Sequence, residues 1–97
     1  MNLNISFKNM DSSDGMKEFI RDKSEVLKKY FDGKISVNWT LSMEKQSRIA
    51  HCHVVGNSMD YFGDESTDDF KASVDLTLDK IEKQIRKHKE KIKNHKP

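Results

Sequence analysis

The sequence predicts an α+β domain of order β-α-β-β-β-α, a four-stranded sheet with two helices packed on one face. Three observations carry this. Residues 35–43 alternate strictly between apolar and polar side chains, the period-two mark of a strand with one buried face. Phe70, Val74, Leu78, Ile81, Ile85 and Ile92 fall on one stripe at helical spacing, so a long amphipathic helix closes the chain. The 97 residues, 34% hydrophobic and 35% charged, leave room for one thin core under a heavily ionised surface.

Each element has its own local reason. Leu3, Ile5 and Phe7 alternate with polar neighbours over residues 2–8, which gives a short first strand. Asp11, Ser12, Ser13 and Asp14 then offer N-cap side chains and first-turn acids for a helix. Met16, Phe19, Ile20, Leu27, Tyr30 and Phe31 recur behind them at helical spacing. Gly33 is expected to end that helix in the left-handed conformation. In the second strand Ile35, Val37, Trp39, Leu41 and Met43 face the core, while Ser36, Asn38, Thr40 and Ser42 face water. Residues 45–47 turn into a third strand over 49–55. Gly56-Asn57-Ser58 turns again into a weaker, acidic edge strand over 59–65. Ser66 and Asp69 are spaced as a capping box for the last helix. The crossover from the first to the second strand is expected to be right-handed and parallel, and the later strands to follow as hairpins. The chain reads as one domain over 1–93 with a frayed tail at 94–97.

Several function classes fall away on composition and spacing. No run approaches the roughly eighteen apolar residues that span a membrane. The opening residues lack the basic and then apolar build of a secretory signal. A single cysteine, Cys52, excludes an internal disulfide and fits a reducing compartment, so a cytoplasmic protein is expected. His51-Cys52-His53 is the one cluster of metal-ligating types. On a strand, however, the two imidazoles point away from the thiol, and a structural zinc needs a full tetrahedral set. Both histidines are expected on the open sheet face without a metal, and Cys52 in the core as an inert thiol. The glycines at 15, 33, 56 and 63 are isolated, so no phosphate-cradling loop is present. The acids at 60, 64, 65, 68 and 69 lack the ligand alternation of a calcium loop. No Ser/His/Asp arrangement has a spacing logic. The sequence therefore predicts no enzyme and no cofactor.

The net charge of +2 conceals an asymmetry. From residue 80 to 97, eight Lys/Arg stand against Glu82 and Glu90, while the remainder is net acidic. A basic end of this kind implies a polyanionic partner. With the apolar stripe inward, at about 100° per residue, Lys80, Lys87 and Lys91 fall on one flank with Lys83 just beyond, and no acid among them. The other flank mixes Arg86, Lys89 and Lys93 with Asp79, Glu82 and Glu90. In the first helix Lys17, Arg21 and Lys28 share a flank, and Lys29 lies on the other. Lys23 sits within the apolar stripe and must snorkel out of it. One-signed flanks are the footprint of phosphate-backbone binding, and two such helices are expected to form a positive groove between them. Trp39 is assigned to the buried sheet face, Tyr30 and Phe31 to the close of the first helix against the core, and the outer sheet face to Ser, Asn and Thr. RNA would then be recognised by shape and phosphate rather than by stacking. Composition and pattern alone leave two alternatives open: a general double-stranded-RNA-binding module, and a protein-interaction module docking through the open sheet face.

The last helix, reading Asp69-Phe70-Lys71-Ala72-Ser73-Val74-Asp75 and then Asp79-Lys80-Ile81-Glu82-Lys83-Gln84-Ile85-Arg86-Lys87-His88-Lys89, resembles the ribosome hibernation-promoting factor and ribosome-associated translation inhibitor family. Members of that family read D-x-Y-A-A-I-D followed by D-K-L-x-R-Q-L-x-K-x-K. Leu3-Asn4-Ile5, Lys17-Glu18-Phe19-Ile20, Tyr30-Phe31-Asp32 and Glu44-Lys45 are similar to it as well. Val26 and Lys71 depart from it, standing where relatives often carry lysine and tyrosine. The resemblance covers essentially the whole chain. It implies a cytosolic bacterial protein of the family's short form, while the lack of a contiguous apolar patch outside the helix stripes and the inner sheet face predicts a monomer in isolation. Such a protein binds the small ribosomal subunit in the channel for mRNA and tRNA during stationary phase or stress. It would inhibit translation, favour inactive stored ribosomes and leave room for a separate ribosome-pairing factor. By position the resemblance assigns ribosomal-RNA contact to Lys23 and Lys29 in the first helix, and to Lys80, Lys83 and Lys87 in the second. Lys28 and Lys91 join the expected RNA-binding set from the helical flanks.

Overall fold

The computed structural model describes residues 1–94, with side chains described through residue 89. The expected tail residues 95–97, and the side chains of Lys91, Ile92 and Lys93, lie outside the described residues. Strands β1 (Asn2–Lys8), β2 (Ile35–Glu44), β3 (Ser47–Gly56) and β4 (Met59–Thr67) form one sheet in that spatial order. Helix α1 (Asp14–Ser24) runs on into a 3₁₀ segment (Glu25–Tyr30), and α2 (Phe70–Asn94) closes the chain. β1 pairs parallel with β2 across the α1 crossover, and β2, β3 and β4 pair antiparallel. The four-stranded sheet, the element order and the two helices on one face are those the sequence predicts.

Period two sets the inner face. Val37, Trp39 and Leu41 of β2 and Ala50, Cys52 and Val54 of β3 are fully or almost fully buried. Ile20 and Leu27 cover them from one side and Val74, Ile81 and Ile85 from the other. Burying such aliphatic side chains contributes about 1.5–3 kcal/mol each before the entropy of ordering is charged against it. Polar groups taken inside are all paired. The Trp39 indole N–H donates to Ser24 Oγ at 2.9 Å. Thr77 Oγ1 donates to the Ser73 carbonyl at 2.8 Å and lies 3.3 Å from that of Ala50. Among the described residues, no buried side-chain polar atom lacks a partner.

Three local expectations are corrected. The first helix does not run as one α-helix to Gly33. It tightens at Glu25, because Ser24, Leu27 and Tyr30 are spaced by three, and 3₁₀ geometry stacks such residues on one line. That line faces inward, toward Trp39, the core and α2. The segment ends where Phe31 turns extended, with φ −132° and ψ 135°, and Gly33 does not adopt a left-handed conformation. The left-handed residues are instead Asn9, with φ 59°, Lys45, with φ 55°, and Asn57 and Ser58, with φ 51° and 62°. Gly56 is required by close approach. A Cβ there would stand 2.7 Å from Ile35 Cγ2 and 2.9 Å from the Phe31 ring. Finally, the predicted Ser66–Asp69 capping box does not form, because β4 extends through Thr67. Asp69 caps α2 through its own carboxylate, 3.4 Å from the Lys71 and Ala72 amides.

Candidate nucleic-acid interface

The two helices run side by side in the same direction, as the seam between them records. Lys71 lies over the Phe19 ring, 5.4 Å from its centre. Lys23 Nζ is 3.4 Å from Asp75 Oδ1. The Tyr30 hydroxyl donates to Glu82 Oε1 at 3.1 Å, and Lys89 Nζ donates to the Tyr30 carbonyl. The seam therefore alternates cations with acids, and the expected one-signed groove between the helices is absent. Glu82 and Lys89, read as part of the mixed flank of α2, are on the side that meets the first helical segment. Helix periodicity gives a residue's flank but not which neighbour that flank meets.

Lys80 lies on the other side of α2, over β4. Lys80 Nζ is 3.1 Å from Glu65 Oε1 and donates to the Asp64 carbonyl at 3.2 Å. One turn further, Gln84 Nε2 donates to the Phe62 carbonyl at 2.6 Å, and the Phe62 amide donates back to Gln84 Oε1 at 3.3 Å. Gly63 permits this closeness, since a Cβ there would sit 3.3 Å from Lys80 Cδ and 3.5 Å from Ile81 Cγ1. Lys83 pairs with Asp79 at 3.2 Å along the helix, and Lys87 is exposed. The flank expected to be free of acids is met by Asp79 from its own helix and by Glu65 from β4. The long-range pairing with Glu65 is invisible to a helical projection.

On the first helix Lys23 does snorkel. Its ammonium lies 5.5 Å from the centre of the Phe19 ring, at the edge of the stripe, and meets Asp75. Lys28 pairs with Glu25 at 2.9 Å, and Lys29 lies 5.1 Å from the centre of the Tyr30 ring. Lys23, Lys28, Lys29, Lys80, Lys83 and Lys87 are thus all exposed on the helical side of the molecule, in two groups rather than one. Exposed pairs of this kind are each worth about 0–1 kcal/mol, so a phosphate can replace the carboxylate at little loss.

The opposite face of the sheet is open. His51 and His53 stand there, half-buried, and His53 Nε2 lies 3.7 Å from Asp60 Oδ1. No three His, Cys, Asp or Glu among the described residues close on a common point that could hold a metal. Cys52 faces inward, and burial pushes its thiol far above the ordinary value. The sequence reading missed Phe62. It was assigned to no face, although Tyr61 and Gly63, its neighbours, point inward and period two turns it outward. Phe62 is 53% exposed, and the His51 ring packs against it at 4.4 Å and 82°. No helix among the described residues is long and apolar enough to cross a membrane.

A four-stranded sheet backed by two parallel helices, with exposed lysines on the helices and no grouped metal ligands among the described residues, defines a small binding domain of the α+β class. The chain belongs to the family described as Sigma 54 modulation protein / S30EA ribosomal protein, which it matches over residues 3–93. It is 32% identical over 95 residues to the ribosome hibernation promoting factor of Klebsiella oxytoca, covering 98% of this chain and 100% of that protein. Its fold is that of the N-terminal domain of Protein Y from Thermus thermophilus, with a TM-score of 0.84 at 22% identity over 91% of this chain and 99% of the other. A ribosomal subunit interface protein from Coxiella burnetii superposes with a TM-score of 0.80 at 20% identity, over 92% and 98% of the two chains.

Proposed function

We propose that this protein is a ribosome hibernation factor. It seats its helical side on RNA of the small ribosomal subunit, in the channel that mRNA and tRNA would occupy, inhibits translation and favours inactive stored ribosomes under stress or in stationary phase. The observation that carries this reading is the match along the whole chain to a hibernation promoting factor, with exposed lysines on both helices of the matching fold. Residues 1–93 act as a single ribosome-binding domain. Lys23, Lys28 and Lys29 on one helix, and Lys80, Lys83, Lys87 and Lys91 on the other, supply the phosphate contacts. Positive charge on rigid helices fits RNA read by shape and backbone rather than by sequence. The protein works as a monomer in the cytoplasm, without a cofactor, and performs no catalysis.

Co-sedimentation with purified small subunits, set beside binding to free duplex RNA of similar length, tests the proposal. Subunit binding at physiological salt with weak duplex binding is the expected result. Equal affinity for both would replace the hibernation reading with that of a general duplex binder.

A further inference from the structure

The open sheet face carries a second surface, distinct in chemistry from the helical side. Its rows run Asn4–Asn38–His53–Phe62 and Ser6–Thr40–His51–Asp64 across the four strands. Uncharged amides and hydroxyls fill the β1 and β2 half. At the β4 end stands Phe62, with the His51 ring edge-on at 4.4 Å and the His53 ring at 6.2 Å. Asp60 and Asp64 lie two residues to either side of Phe62 on β4, so period two puts all three side chains on this face. The other charged residues that the alternation turns this way are Glu44 at the end of β2 and Lys8 at the end of β1. An exposed aromatic ring is therefore set between carboxylates, on a face where acids outnumber bases.

We infer that this face docks a basic, arginine-bearing segment of a protein. A phosphate backbone would meet Asp60 and Asp64 before its bases reached the ring, so charge speaks against single-stranded RNA here. A cationic segment meets attraction instead. Guanidinium is the better cation, because its plane stacks on an aromatic ring while its edge bonds a carboxylate in a two-toothed fashion, and an ammonium does neither as well. The spacing suits an extended chain. Asp60 and Asp64 are about 13 Å apart at ~3.3 Å per residue, with the ring midway. An extended segment with arginine at alternate positions presents its side chains at the same pitch.

The test maps amide and ring resonances of the labelled protein during titration with a short peptide carrying arginine at alternate positions. Its lysine counterpart and a short oligouridine are titrated in parallel. Shifts centred on His51, His53 and Phe62 with the arginine peptide are expected, with the lysine peptide weaker by about two- to fivefold. Phe62→Ala and the double variant Asp60→Asn/Asp64→Asn should each weaken arginine-peptide binding by about as much. Both change exposed side chains, and retained dispersion of the core resonances checks their folding. The inference is overturned if the lysine peptide binds equally, or if the acid-neutralised variant binds as the parent does. Oligouridine shifts centred on Phe62 would overturn it in favour of a stacking surface for RNA.

Discussion

At the residue scale, the proposed RNA contact turns on what each lysine does in the free protein. Lys80 is held by Glu65 and the Asp64 carbonyl, so phosphate must compete with a partner already in place. Glu65→Gln should free it, and subunit affinity in low salt should rise slightly, read from a binding isotherm. Changing Lys80, Lys83 and Lys87 together to Gln should flatten the dependence of log affinity on log salt by about two to three units, at 0.7 to 0.9 per phosphate released. The same change at Arg86, Lys89 and Lys93 removes equal charge and should flatten it far less. Equal loss from the two triple variants would reduce α2 to a diffuse positive charge. Ser24 invites a different test. It is fully buried and accepts the Trp39 indole N–H, so Ser24→Ala leaves that donor without a partner in a dry site. The expected loss is about 1–3 kcal/mol by urea denaturation, with native circular dichroism retained.

At the element scale, the edge of β4 is closed by side chains. Gln84 bonds both the amide and the carbonyl of Phe62, and Lys80 takes the next outward carbonyl at Asp64, as a fifth strand would. An uncovered strand edge is a template for pairing with another chain. Gln84→Ala should lower stability by about 1 kcal/mol and raise the mass seen by light scattering at high concentration. A monomer that survives unchanged would show that the edge needs no cover. This closure was not legible in the sequence, and the reason is physical. Alternation and helical periodicity report which side of its own element a residue occupies, and on that ground the inward faces of β1, β2 and β3 and the α2 stripe from Phe70 to Ile85 follow from the sequence. They carry nothing about which neighbour lies across the gap. For the same reason the lysine flank of α2 could be drawn, whereas its neighbour β4, and Glu65 with it, could not. The shift from α to 3₁₀ after Ser24 escaped because Leu27, Tyr30 and Phe31 fit an α-helical stripe as readily as Ser24, Leu27 and Tyr30 fit a three-residue repeat.

At the scale of the whole molecule, burial in the core holds two ionisable groups, Cys52 and Tyr61, in their neutral forms. Cys52 is buried and its thiol is raised above the ordinary 9.0. The sign follows. The folded chain keeps the proton where the unfolded chain releases it, so the neutral thiol favours folding little below pH 9 and less and less as pH climbs past it. Stability should fall above about pH 9 with a slope approaching 1.4 kcal/mol per pH unit from this group. Cys52→Ala should remove that part of the slope while costing some packing, which denaturation midpoints across pH 7–10 would separate. Alkylation of the native protein should likewise be slow and track unfolding.

The parallel pairing of β1 with β2 has a consequence for how the molecule assembles. β2, β3 and β4 follow one another through two-residue turns, so their ladders close over short loops. β1 reaches β2 only after residues 9–34 have wound into a crossover, and Asn4 bonds Asn38 across 34 positions of chain. Loop closure of that length must precede any reward from the contact. Leu3, Ile5 and Phe7 are also only half-buried, so β1 gains less from docking than the inner strands do. The meander and α2 are expected to form the early, slowly exchanging nucleus, with β1 docking last and opening first. Native-state hydrogen exchange would then find the β1 amides released at lower free energy than those of β3, while the two central hairpins still hold.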